Sequence, residues 1–483
     1  MKWLNGYRMR MVLVSIVAAM MFGGTEIADG ATITVGPGGT YDVDNIQAGI
    51  DKANDGDTVL VALGEYVITE PVTFRGKAIT VKSEAGPEET TIRMGTPADS
   101  NRGSVVIFEN NETDESILEG FTITGGKGCW VAGANAWAGG GIYFPTSSAT
   151  VRNCAIVQNS ATNGGGVVCE AECSANLIDC IIAENSAEGQ VGGVFAVLGA
   201  SITLSNCVIS RNSAKEYAGG VSCWSNSSLT LNNCIIADNS AGLTFGGVGG
   251  SLNSSVIMTN CVVTGNTAET GIGGGIHFSE SRAELTNCVV TRNTAGSGGG
   301  GVSCAYASSL SIKNCTIWGN SSGSHFSGFG GGGVGCFSDS SAEITDSIVC
   351  GNTSPRGEQI GVTQGASTLT VTYSNVSGGQ AKAHIDIGCT FNWGEGNIDV
   401  DPYFADPDND DFHLKSQARR WNPNSQAWVQ DDMTSPCIDA GDPMSPIGWE
   451  LFPNGGFVNM GAYGGTSQAS KPYFGEPICE TSV

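Results

Sequence analysis

A phrase that returns at a fixed interval leaves this chain few folds to choose from. It reads Asn-Cys, two small or β-branched apolar residues, two variable residues, Asn, then Ser or Thr, and later a glycine pair. Examples are NCAIVQNSATNGGG at Asn153, NCVISRNSAKEYAGG at Asn206 and NCIIADNSAGLTFGG at Asn233. The sister cysteines stand at 154, 180, 207, 234, 261, 288 and 315, a first step of 26 and then steps of 27. A period near 27 is the signature of a solenoid, whose units bury their apolar faces only against neighbouring copies.

Each unit resolves into three short strands. Gly219-Gly220-Val221-Ser222-Cys223 puts Val221 and Cys223 on one face, Leu229-Thr230-Leu231 follows, and Cys234-Ile235-Ile236 is the third. Asn239-Ser240-Ala241-Gly242 makes the return. Alternation of period 2 with Asn or Gly at the corners predicts a triangular coil, with equivalent residues of neighbouring coils about 4.8 Å apart. Internal columns should run from Cys154 to Cys315 and from Ile156 to Ile317. A column from Asn159 to Asn320 should bond side chain to side chain at a corner, where Asn also tolerates left-handed backbone. Glu184, Arg211 and Asp238 should form an outward column of alternating charge. The repeats cover 117–376; they loosen after Ser347, and a last coil fits Thr368 to Val376.

Seventeen cysteines in an exported chain would suggest disulfides, but position argues otherwise. Seven share one repeat position; Cys169, Cys223, Cys304 and Cys336 share a second, where other copies carry Phe144, Ala196, Gly250 and Phe278. Such exchange suits a buried apolar site, not a bridge or a ligand, and the short ligand pairs of a zinc site are missing. The net charge of −25, with only 22 Lys and Arg and no basic cluster, excludes nucleic acid as a partner. It also opposes capture of a polyanion by the net field.

Lys2, Arg8 and Arg10 precede an apolar run from Met11 to Phe22, and Ala28-Asp29-Gly30 offers a cleavage site before Ala31. Residues 1–30 are therefore expected to be a signal peptide, leaving a secreted or cell-surface chain. The run is shorter than the roughly 20 residues of a membrane span, so none is expected in the mature protein. In 31–116 come a cap and the first coils: Asp44 precedes Ile46, Gly49, Ile50 and Ala53, the pattern of a short amphipathic helix with an acidic start.

Three stretches resemble known families. IQAGIDKANDGDTVLVALGEYV, from Ile46, resembles the N-terminal cap of the pectate-lyase-like right-handed β-helix superfamily. The paired N-x-A/S and Gly-Gly-Val/Ile phrases between 117 and about 352 are similar to polymorphic outer-membrane protein repeats. GNIDVDPYFADPDNDDFHL, SPCIDAGDP and FVNMGAYGGTSQASKP, within 377–483, resemble the tail of bacterial secreted β-helix proteins with a choice-of-anchor module. The resemblance implies an all-β chain: a single right-handed parallel β-helix with a helical N-terminal cap, and a tail that closes its C-terminal end. It also implies a polysaccharide or cell-surface glycan as partner, since many such proteins cleave acidic polysaccharides.

The residues divide over activity. A lyase or hydrolase needs a base, an acid or paired carboxylates. His277 with Glu280 could form an acid/base pair, or His277 could be an exposed ladder position; Arg211 and Lys215 could serve a lyase. The Gly-His-Gly and Arg-Ile-Lys phrases of polygalacturonase-like enzymes are absent. Trp130, Trp137 and Trp224 fall in turns or inserted loops and could stack on sugars. Asp399, Asp401, Asp406, Asp408, Asp410 and Asp411 are of the ligand type calcium prefers, without EF-hand spacing; Ca²⁺ is the one cofactor they suggest. No coil interrupts the pattern with a cluster of Asp, Arg, Lys and His. The expectation is a non-enzymatic glycan- or partner-binding scaffold or adhesin; the alternative is a lyase or glycoside hydrolase acting on an acidic polysaccharide along the groove.

Overall fold

The computed structural model describes residues 30–323 and 328–475; the expected signal peptide lies outside them except for Gly30. Strands one coil apart pair in parallel and in register, and three long sheets result. Sheet 1 has 14 strands from Thr32–Val35 to Thr390–Trp393, sheet 2 has 12 from Gly64–Ile68 to Asn375–Val376, and sheet 3 has 12 from Val72–Thr73 to His384–Ile385. Together they wind into a right-handed parallel β-helix of about 13 coils. One coil runs Val221–Trp224 in sheet 3, Ser228–Asn232 in sheet 1 and Ile235–Ala237 in sheet 2. The return differs from a plain turn: Ser240–Ala241 and its equivalents pair into a fourth sheet of seven two-residue strands, from Ser160–Ala161 to Ser321–Ser322.

The columns stack as the period requires. Phe144, Cys169, Ala196, Cys223, Gly250, Phe278, Cys304 and Cys336 are register partners in sheet 3. All sixteen described cysteines are free thiols and all but Cys389 are buried. They are more than filler: Cys207 Sγ donates to Leu177 O at 3.3 Å and Cys234 Sγ to Leu204 O at 3.4 Å, one coil back. The asparagine ladder is complete. Asn239 Nδ2 donates to Asn266 Oδ1 at 2.9 Å and to Ile209 O at 3.0 Å, and Asn239 Oδ1 accepts both the backbone N–H and the Nδ2 of Asn212. The left-handed corners lie elsewhere, at the asparagine of each Asn-Cys pair, as in Asn233 (φ 54°), and at the residue before each ladder asparagine, as in Arg211 (φ 53°). The glycine pairs let backbones stack closely: a Cβ on Gly220 would come within 2.4 Å of Gly247 O.

The N-terminal helix spans Ile46–Lys52 and buries Ile46, Gly49 and Ile50. Its cap is Asn45, not Asp44: Asn45 Oδ1 accepts the Ala48 N–H at 2.8 Å. Lys77 Nζ closes the other end on Ile50 O, Asp51 O and Ala53 O, at 2.7, 2.9 and 2.7 Å.

Two expectations for the C-terminal part need correction. The coils continue past Val376, to His384–Ile385 and Thr390–Trp393. The tail does not simply close the end; it doubles back along the outside of sheet 2. Phe404, Phe412, Leu414, Cys437 and Met460 pack on Val289, Ile348 and Cys350. Asn287 Nδ2 donates to Ala462 O and Gly464 O at 3.0 and 2.7 Å, Asn314 Nδ2 to Asn459 O at 3.2 Å, and Asp346 accepts from Asp442 N and Ser445 Oγ, both at 2.6 Å. The cause is the apolar outer face of sheet 2, which would otherwise stay wet.

Candidate functional site

The four expected catalytic residues do not assemble. His277 is 2% exposed and so is neither a surface ladder residue nor a partner of Glu280. Its Nδ1 lies 2.7 Å from Ser303 Oγ, its ring stacks on Phe245 at 5.0 Å, and burial lowers its pKa to about 3. A neutral, enclosed imidazole cannot reach a polymer. Glu280 sits on the exposed turn that leads from sheet 3 to sheet 1, in left-handed backbone. Arg211 pairs with Glu184 at 3.0 Å, as the charge column requires, and Lys215 pairs with Glu188.

The tryptophans separate into two places, and all three stand on strands rather than in loops. Trp130 and Trp137 face each other, edge to face at 4.6 Å, across a hairpin of Gly128–Val131 and Ala136–Ala138 inserted before the regular coils. Trp224 ends a sheet 3 strand and is committed to packing: it meets Phe195 and Tyr217, each at 5.5 Å, and its Nε1 donates to Ser222 Oγ at 2.9 Å.

The side chains of the acidic run do not converge on one point. Asp406 accepts from Asn409 Nδ2 at 2.9 Å, Asp410 pairs with Arg292, and Asp408 offers its backbone carbonyl to the same arginine at 3.0 Å. Asp411 is buried against His413 and Arg420. Among the described residues no three metal-ligating side chains converge. Asp399 and Asp401 do something else. They line a cleft of about 590 Å³ where the returning tail leaves sheet 2, together with Trp318, Ser377, Tyr403 and Lys415.

Sheet geometry and tail docking build this cleft jointly. Trp318 ends a sheet 2 strand, and Arg292 over its ring at 5.4 Å and Phe412 at 5.6 Å hold it rigid. Asp399 accepts the Gly378 N–H and Asp401 the Tyr403 N–H, both at 2.8 Å through one carboxylate oxygen. Tyr403 is 38% exposed. With Trp318 packed as its floor, the exposed Tyr403 ring beside carboxylates, a hydroxyl and an ammonium can stack on a sugar ring and bond its hydroxyls. Neither Trp318 nor Tyr403 stood out in the sequence, since Trp318 holds an ordinary strand position and nothing local says that the tail will reach it.

Family-model comparison agrees with this architecture. A model described as right handed beta helix region matches residues 135–279 and 180–317. A second, described as disaggregatase related, matches 344–441, from the last coils into the tail. The search of curated proteins found no match. Among solved structures, the catalytic unit of a thermostable α-1,3-glucanase from Streptomyces thermodiastaticus is 12% identical, over 72% of this chain and 64% of that one, at a TM-score of 0.35. Polygalacturonase from Erwinia carotovora is 14% identical over 79% and 99%, at 0.35, and the siphovirus 9NA tailspike receptor binding domain 11% identical over 77% and 78%, at 0.22. The chain thus spans under two thirds of the glucanase unit. Superpositions this loose carry no residue correspondence.

Proposed function

We propose that this right-handed β-helix protein is an exported, non-catalytic glycan-binding scaffold, and that the cleft beneath its tail is a sugar-binding site. The observation that carries the reading is the lining of that cleft, where Trp318 and Tyr403 stand beside Asp399, Asp401, Ser377 and Lys415. The state of the catalytic candidates supports it: the imidazole of His277 is enclosed, and Arg211 and Lys215 are each paired with a glutamate. No cofactor is needed for this role.

Affinity electrophoresis against a panel that includes α-1,3-glucan, β-glucans, xylan and polygalacturonate tests it. The Tyr403→Ala and Asp401→Asn variants should lose retardation by the bound polymer while melting as the parent does. Equal retardation of both variants and parent would show that the cleft is not the site.

A further inference from the structure

The turn between sheet 3 and sheet 1 repeats in every regular coil, and its first residue forms a column of its own. Strand register aligns Leu198, Ser225, Leu252, Glu280, Tyr306 and Ser338 in successive coils. All six have left-handed backbone, with φ between 51° and 59°. Asn or Gly suits such a site; a leucine or tyrosine there costs backbone energy and is uncommon. Yet Leu198, Leu252 and Tyr306 stand 58%, 45% and 52% exposed. Nothing in folding asks for large apolar side chains in strained backbone facing water.

Their order is regular. Apolar rungs occupy every second coil, and Ser225, Glu280 and Ser338 lie between and beyond them. The apolar rungs are therefore roughly 10 Å apart, twice the inter-strand spacing of about 4.8 Å. That is the span of an extended disaccharide unit. The turns are stiff, since Ser225 N–H bonds Ser251 O, Glu280 N–H bonds Ala305 O and Asn253 N–H bonds Glu280 O across coils. Asn226 and Asn253 stand next to the rungs, joined side chain to side chain at 2.7 Å, and a groove of about 550 Å³ runs past them from Ser225 to Ala307.

We infer that this corner is a second binding track, on which an extended, uncharged polysaccharide lies parallel to the helix axis. Every second sugar rests its C–H face on Leu198, Leu252 or Tyr306, and the sugars between bond Ser225, Glu280 and the neighbouring amides. Charge decides the class of glycan: a carboxylate sits between two apolar rungs, and the chain carries −25, so a uronan is repelled. The assignment rests on the glycan-binding reading above but names a different surface.

Calorimetry with neutral β-linked oligosaccharides of two to eight sugars, and with oligogalacturonates of equal length, tests it. Affinity should rise in steps of two sugars, and the oligogalacturonates should bind more weakly at every length. Leu252→Asn and Tyr306→Asn should each weaken binding roughly 5-fold without lowering the melting temperature, because asparagine suits left-handed backbone. A Leu198→Asn, Leu252→Asn, Tyr306→Asn triple variant that binds like the parent overturns the track and leaves the cleft reading standing. Stronger binding of oligogalacturonate also overturns it. Absence of binding to any oligosaccharide or polymer overturns both.

Discussion

At the scale of single residues, stability rests on polar groups that neighbouring coils satisfy for one another. Asn239 is 1% exposed, yet its side chain makes bonds both to the coil before and to the coil after. Removing it strands the Asn212 amide and the Ile209 carbonyl, at about 1–3 kcal/mol for each buried group left unpaired. Asn239→Ala should therefore lower the melting temperature by several degrees, far more than truncation of the exposed Leu243, which is read by thermal denaturation of both variants. The cysteine columns make a second prediction. Burial holds the Cys223 and Cys350 thiols up at about 12, so they are neutral and shielded. Of the sixteen described thiols only Cys389 should react with an aromatic disulfide reagent in the native protein, and all should react in denaturant. Fast reaction along the Cys154–Cys315 column would contradict its place in the core.

At the scale of elements, the coils were legible in the sequence and the tail was not, for one physical reason. Coil contacts recur every 27 residues, so each position is written many times over, and exchange between Cys, Ala, Gly and Phe reveals its environment. Tail contacts span more than 90 residues and use residues the repeat supplies anyway. Asn287 and Asn314 look like Asn206 in sequence; only the structure shows that Asn206 bonds Asp179 along the column while the other two bond the tail. The fourth sheet was equally hidden, because two-residue strands carry no alternation to read.

The tail also carries a pH dependence. Glu450 is 8% exposed and accepts the Asn459 and Gly465 N–H groups, both at 2.8 Å, through one oxygen, and burial raises it to about 7. A carboxyl raised in the folded state favours the fold while protonated. Its contribution is full below its ordinary value of 4.5 and is lost as pH rises to about 7. Between those limits the tail should lose on the order of 3 kcal/mol. Glu450→Gln keeps the acceptor and removes the charge, so proteolysis of the tail, which should quicken from pH 5 to 7 in the parent, should hold steady in the variant. Asp439, also raised by burial, titrates nearby in the same sense; a variant as pH-sensitive as the parent would assign the effect there.

At the scale of the whole molecule, the three sheets have different fates. Sheet 3 is sheltered by returning loops that carry Val191, Ala218 and Phe245 over Val168 and Phe195, and the later coils of sheet 2 are covered by the tail. What stays open includes the outer face of sheet 1, where Ile257 is exposed, the corner between sheets 3 and 1, the cleft at the tail's edge and the hairpin with Trp137. The proposed binding function rests on the corner and the cleft. The proposed function requires that the molecule hold polysaccharide without cutting it. It is tested most directly by incubating the purified protein with each polymer that retards it, and following unsaturated products and new reducing ends over many hours. Retardation with no product above the protein-free control is the expected result. Steady product release, abolished by a single substitution on the coil surface, would contradict it.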